Sequence, residues 1–318
     1  MSSGPGTQAG EAEQDQPTAD SSSVASTQSG KRQKRRKWPW ITVVSIVVVL
    51  FLVWAAANCY GAYWVAHNGV ISQSEPSVSQ LGFPATNVHY AKGLVAWYTP
   101  PKPGKPVLVI VHGYQANRSH VLPTARAMYP FGYGLLLPNL GYVSGKALYG
   151  GGDREANEVI QAVNYAIIRS HAPVVLIGYS EGGAEAILAA DRHAKVIAVI
   201  SDSAPVSFLN IATQKSGVPS WLLAGVSIVY PWFSSGGHLE DLSNILPDDY
   251  HVPTLIIQGT ADTTVPYSNG PELAKLTHGS LWTVQGAGHD EALALDPTLY
   301  VKNLNAFIDH ALAGSRRS

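Results

Sequence analysis

The chain has 318 residues, 46% hydrophobic and only 14% charged, with a formal net charge of −1, so it is long enough for one large domain with appendages. Six of its 21 basic residues fall within positions 31–37 and four of its 22 acids precede them, which leaves 15 basic against 18 acidic residues and excludes the basic surface of a nucleic-acid binder. A single cysteine, Cys59, excludes an internal disulfide and a cysteine-built zinc site.

Residues 1–30 are rich in Ser, Gln, Gly, Thr and Ala, with almost no large apolar side chains to offset chain entropy, and are expected to be disordered. The basic run 31–37 follows, and the cytoplasmic tail is placed at 1–37. No Asp, Glu, Lys or Arg occurs between Lys37 and Glu75, and residues 38–57 are almost wholly apolar. About 20 such residues cross the hydrocarbon core, so a transmembrane helix is expected over 38–60. Trp38 and Trp40 at one end, and Tyr60, Tyr63 and Trp64 at the other, suit the two interfacial belts. The basic run would stay cytoplasmic, and the domain that follows would lie outside at the cell membrane. A signal peptide cleaved after Ala55-Ala56-Ala57 is the competing reading, although its apolar core is usually shorter, roughly 7–15 residues. A lipoprotein signal would need a small residue before Cys59, where Asn58 stands. A core helix would not explain the adjoining block of positive charge.

From residue 68 to 318 the pattern is that of a mixed α/β domain. Strands are expected at 87–90 and 94–98, with Gly93 at the turn between them. The continuous apolar run at 107–111 and the stretch 134–138 read as strands buried on both faces, and 174–177, 196–200, 254–257 and 281–284 read as further strands. Helices are expected at 118–129, 155–169, 184–190 and 299–313, from spacing such as Val159, Ile160, Val163 and Ile167. Alternation of strand and helix implies a parallel sheet covered on both faces. Residues 205–250 interrupt it. Their apolar stretch 221–233 is too short to span a bilayer. It serves either as a small cap over a site or as a helix covering the sheet.

Gly178-Tyr179-Ser180-Glu181-Gly182-Gly183 sits between the run 174–177 and the helix 184–190. Strand, tight turn and helix together expose a nucleophilic hydroxyl, and small residues flank it because side chains there would collide with their neighbours. A serine hydroxyl needs a base held by a carboxylate. His289, in Gly286-Ala287-Gly288-His289-Asp290, leaves the end of the strand 281–284. Asp262, in Gly259-Thr260-Ala261-Asp262, leaves the end of 254–257, and the order Ser, Asp, His suits this layout. Asp202, after 196–200, is the rival acid. An oxyanion needs donors already in place. The backbone N–H of Glu181 is one candidate. The N–H of Tyr114, in His112-Gly113-Tyr114-Gln115 after the strand 107–111, is the other, with His112 read as structural.

These parts together resemble the α/β-hydrolase superfamily, in particular its serine esterases, lipases and peptidases, over residues 87–312. The resemblance rests on His112-Gly113-Tyr114, the turn at Ser180, Gly259-x-x-Asp262-x-x-Val265-Pro266 and Gly288-His289. It implies an α/β-hydrolase fold with a mostly parallel sheet, helices on both faces and a small cap. It also implies Ser180 as nucleophile, His289 as base and Asp262 as the residue that orients it. Two positions depart from the pattern: Asn139-Leu140-Gly141-Tyr142 replaces an Asp-x-Arg-Gly-like turn, and Glu181 puts a carboxylate beside the oxyanion site. The expected activity is hydrolysis of a small-molecule or lipid-like ester. A peptidase using Glu181 to bind an amine, an acyltransferase, and an inactive scaffold are the alternatives. No Walker motif, His-Glu-x-x-His or well-placed Gly-x-Gly-x-x-Gly is present, so no cofactor or metal is expected.

Overall fold

A computed structural model describes residues 38–68, 74–144 and 147–316; the expected tail 1–30 and basic run 31–37 lie outside the described residues. The described residues from 48 onward form one compact unit, and the described residues before them are the first turns of one helix. That helix, α1 (Trp38–Asn68), is long and apolar enough over Pro39–Asn68 to cross a membrane. It does not stop near residue 60. Its last turns bury Ala62, Val65 and Ala66 in the core of the body.

The strands β1 (Thr86–Ala91), β2 (Leu94–Thr99) and β3 (Val107–Val111) precede α2 (Leu122–Met128) and β4 (Gly134–Pro138). Next come α3 (Asp153–Ser170), β5 (Val174–Tyr179), α4 (Glu181–Asp191) and β6 (Val196–Asp202). The interruption at 205–250 folds into α5 (Phe208–Ser216), α6 (Ser220–Phe233) and the short α7 (Leu242–Ile245). The chain closes with β7 (Thr254–Gly259), α8 (Asn269–Leu276), β8 (Ser280–Val284), α9 (Ala292–Leu295) and α10 (Pro297–Ser315).

The eight strands form one sheet in the order β1-β2-β4-β3-β5-β6-β7-β8. The β1–β2 and β2–β4 pairs are antiparallel and all others parallel. The continuous apolar runs have a direct cause here. Val107, Val109 and Val111 enter the core on one face, with α3, α4 and α8, while Leu108 and Ile110 enter the core on the other, with α2 and α10. Both faces of each central strand are dry, so every position must be apolar.

Several boundaries differ from expectation. The helix expected from residue 118 begins at Leu122, because Pro123 has no N–H to donate and fits only a first turn. Residues before it serve other partners: the Arg118 guanidinium lies 2.6 Å from Glu75, and its backbone N–H donates to Asn139 Oδ1 at 2.9 Å. The strands β6 and β7 run on to Asp202 and Gly259, because the ladder pairs Tyr179 with Asp202 and Gly259 with Val284.

Ile177 lies at the middle of the sheet and is fully buried. Ile177→Ala is expected to lower unfolding stability by about 2–5 kcal/mol. Denaturant unfolding of the full chain in detergent measures this; a shift below about 0.5 kcal/mol, the range of surface substitutions, would contradict the packing described.

Candidate active site

β5 ends at Tyr179 and α4 starts at Glu181, so Ser180 alone makes the turn, with φ 51° and ψ −127°. That conformation is unfavourable for a residue with a side chain, and here it is held from both sides. The Ser180 N–H donates to Asp202 O at 2.8 Å, and the Gly183 N–H to Ser180 O at 2.9 Å. A Cβ at Gly178 would fall 2.1 Å from Gly182 O, and one at Gly182 would fall 2.4 Å from His112 O. No side chain fits at either place, so the turn can close only with glycine at both.

The loops after β7 and β8 reach the same point. His289 Nε2 lies 2.9 Å from Ser180 Oγ, and its Nδ1 lies 2.8 Å from Asp262 Oδ2. Asp262 is itself held. Its Oδ1 accepts the N–H groups of Thr264 and Val265, each at 2.8 Å, and its Oδ2 also accepts from Gln258 Nε2 at 3.2 Å. A carboxylate with four donors is fixed in place and keeps Nδ1 as the protonated nitrogen, which leaves Nε2 free to accept. Burial alone would lower the His289 pKa, but the Asp262 hydrogen bond and the charges of Asp290, Asp262 and Asp202 outweigh it and raise it.

Asp202, the rival acid, does not bond His289. It accepts from Tyr300 O–H and Ser203 Oγ, each at 3.0 Å, and burial pushes its pKa up to about 6. Ser203 Oγ in turn accepts the Asp290 N–H at 3.1 Å, so Asp202 steadies the His289 loop from beneath. His112 is buried, with Nδ1 3.0 Å from Gly113 O and Nε2 accepting the Leu140 N–H at 3.3 Å. Burial lowers its pKa to about 4, so it is a neutral link between two loops.

Tyr114 and Glu181 flank Ser180. A Cβ on Gly113 would lie 2.9 Å from Ser180 Cβ, which brings the Gly113-Tyr114 backbone against the serine. The Glu181 side chain is buried and accepts the Tyr149 hydroxyl at 2.8 Å. Burial raises its pKa to about 7, opposed by that hydrogen bond. Neighbouring Glu185 is also buried, and its pKa is raised well above the usual carboxylate range.

Two features escape sequence reading. First, the end of α1 is closed by the loops around Ser180. The last carbonyls of a helix lack partners within it. Here Val65 O accepts the Tyr114 hydroxyl at 2.8 Å, Ala66 O the Tyr149 N–H at 3.1 Å, and Asn68 O the Gln115 side-chain amide at 2.9 Å. No local signal announces bonds across such separations. Second, Asp290 Oδ2 lies 3.8 Å from His289 Nε2 and 4.0 Å from His120 Nε2. Burial pushes the Asp290 pKa up to about 7, against the lowering effect of His289. Its adjacency to His289 in Gly288-His289-Asp290 was the available signal.

No protein-family model matches the sequence, and no curated protein matches it. Solved structures do match in fold. An esterase from Pyrococcus furiosus superposes with a TM-score of 0.60 at 20% identity, over 75% of this chain and 96% of its own. An α/β hydrolase from a Penicillium species gives 0.54 at 15% identity, over 73% and 100%. A membrane phospholipase A, a bacterial virulence factor, gives 0.53 at 17% identity, over 87% and 99%. The chain has the α/β-hydrolase fold.

A negative charge beside Nε2 favours the imidazolium, so Asp290→Asn is expected to lower the His289 pKa and keep the ring neutral to lower pH. Imidazole NMR titration of the full chain reads that midpoint; a midpoint that stays put or rises would rule out the charge effect.

Proposed function

We propose that the chain is a membrane-anchored serine hydrolase that cleaves carboxylic esters through an acyl-enzyme. The carrying observation is the unbroken hydrogen-bond line from Ser180 Oγ through His289 to Asp262, set on a turn held in a strained conformation. In this reading Ser180 Oγ attacks the ester carbonyl carbon while its proton passes to His289 Nε2. The carbonyl π electrons move to oxygen, and the N–H groups of Tyr114 and Glu181 hold the resulting oxyanion. Collapse re-forms the carbonyl and expels the alcohol, which takes the proton from His289. Water then repeats the sequence on the acyl-serine, giving the acid and free Ser180. Asp262 keeps its charge throughout and orients the ring.

Esterase and phospholipase neighbours support an ester as the substrate. The Glu181 carboxyl, which would serve a peptidase as an amine anchor, is buried on Tyr149, and this favours the ester over the peptide. The apolar length of α1 and the six positive charges before it support a membrane anchor with residues 1–37 cytoplasmic. The match to the membrane phospholipase covers more of the chain than residues 69–318 contain, so it extends into residues before 69.

The full chain in detergent is the right sample, because α1 completes the loops around Ser180. A fluorophosphonate probe is expected to label it, and labelling should vanish in Ser180→Ala; a folded wild type that stays unlabelled would end the serine-hydrolase reading. Asp262→Asn should cut ester kcat by about 10⁴-fold through loss of the correct tautomer. In intact cells, added protease should reach the body but spare residues 1–37, and a protected body would reverse the topology.

A further inference from the structure

An apolar cavity, of about 360 Å³, lies between the last turns of α1 and the helices α5 and α6. Tyr60, Trp64 and Val65 form one wall, and Phe208, Leu209 and Leu223 stand opposite. Its volume falls in the range of small-molecule sites, roughly 300–1,000 Å³. No lining side chain carries a charge. A charged or strongly hydrated ligand would therefore lose its water without compensation, while a hydrocarbon chain would lose nothing.

The surroundings identify the source of such a chain. The wall from Tyr60 to Val65 continues the same helix whose residues 48–53 are apolar and exposed. At 1.5 Å per residue, Tyr60 to Val65 lies roughly 10–20 Å along the axis beyond Val53, at the depth where hydrocarbon gives way to headgroups. α6 has no charged residue, and its outer side leaves Trp221 68%, Ile228 68% and Trp232 78% exposed. Large apolar and indole side chains in that position are costly in water and suited to a membrane interface. The cavity also adjoins the catalytic loop. The Phe208 ring meets the Tyr114 ring edge-on at 5.8 Å, and Tyr114 follows the Gly113 that abuts Ser180.

We infer that this cavity is the acyl-chain site of the enzyme, shared between the membrane helix and the cap, and that its occupant is the acyl chain of an ester lipid drawn from the bilayer. The inference rests on the membrane-anchored ester-hydrolase reading and names its substrate class. The chain lies along Trp64 and Phe208 and passes Tyr114, which brings its ester carbonyl to Ser180. The polar leaving group faces the opposite side, where His289, Asp290 and His120 gather.

Two measurements test it. Full-length Ser180→Ala in phosphatidylcholine nanodiscs carrying a phospholipid with a diazirine in its acyl chain is irradiated, and the labelled peptides are mapped. Labels within 60–65 and 208–226 are expected, in addition to those within 41–57 that any membrane helix acquires. Labels confined to 41–57 would overturn the inference. In the second, Ala212→Trp fills the cavity of the otherwise native full chain, and the ratio of laurate to acetate ester kcat/KM should fall by about tenfold or more. An unchanged ratio, including an equal loss on both esters, would overturn it. If the wild type hydrolysed no ester at all, the function reading would fail, and the photolabelling would still decide what the cavity binds.

Discussion

The backbone turn at Ser180 is the constraint from which the rest of the site follows. A serine held at φ 51° needs the strand before it and the helix after it to be rigid, and both are buried along nearly their whole length. β5 is the central strand of the parallel region, with β3 on one side and β6 on the other. The turn therefore receives Asp202 O from one neighbour and the His112 backbone from the other. Because β3, β5, β6, β7 and β8 all run the same way, their following loops emerge along one edge. That shared direction is what brings Tyr114, Ser180, Asp202, Asp262 and His289 together from positions scattered over much of the chain.

The second organising feature is the end of α1. A helix linked only by a flexible segment would leave its last carbonyls to water. Here three of the last four are taken by Tyr114, Tyr149 and Gln115. Trp54 and Asn58 also donate to Leu222 O at 2.8 and 3.1 Å, which ties the same helix to α6. The end of α1, the helix α6 and the loop after β3 thus share hydrogen bonds and packing. The Tyr149 that donates its N–H to Ala66 O also donates its hydroxyl to Glu181, so the carboxylate beside Ser180 belongs to this same junction.

Much of this was legible in the residues. Strands buried on both faces announce themselves as unbroken apolar runs, and 107–111, 134–138 and 174–177 did so. Glycines at a turn that admits no Cβ mark Ser180, and strand ends followed by Gly-x-x-Asp and Gly-His mark the two loops that meet it. Strand ends at Ser201-Asp202 and Gln258-Gly259 were not legible, because polar residues there are held by ladder pairing rather than by their own preference. The start of α2 was misplaced because the apolar pattern of 118–129 ignores Pro123, and the demands of Arg118 come from Glu75, far along the chain.

The sequence by itself determined the alternating α/β plan, the presence of an apolar membrane-length helix, and the identity of the residues able to form a Ser-His-Asp line, since each depends on local periodicity, composition or turn chemistry. Only the tertiary structure set Asp262 rather than Asp202 against His289, turned Glu181 onto Tyr149, placed Asp290 beside His289, and joined the end of α1 to the loop after β3 and to α6. Those outcomes depend on which groups meet across a folded sheet edge, and hydrogen bonds between residues far apart in the chain leave no periodic trace in it.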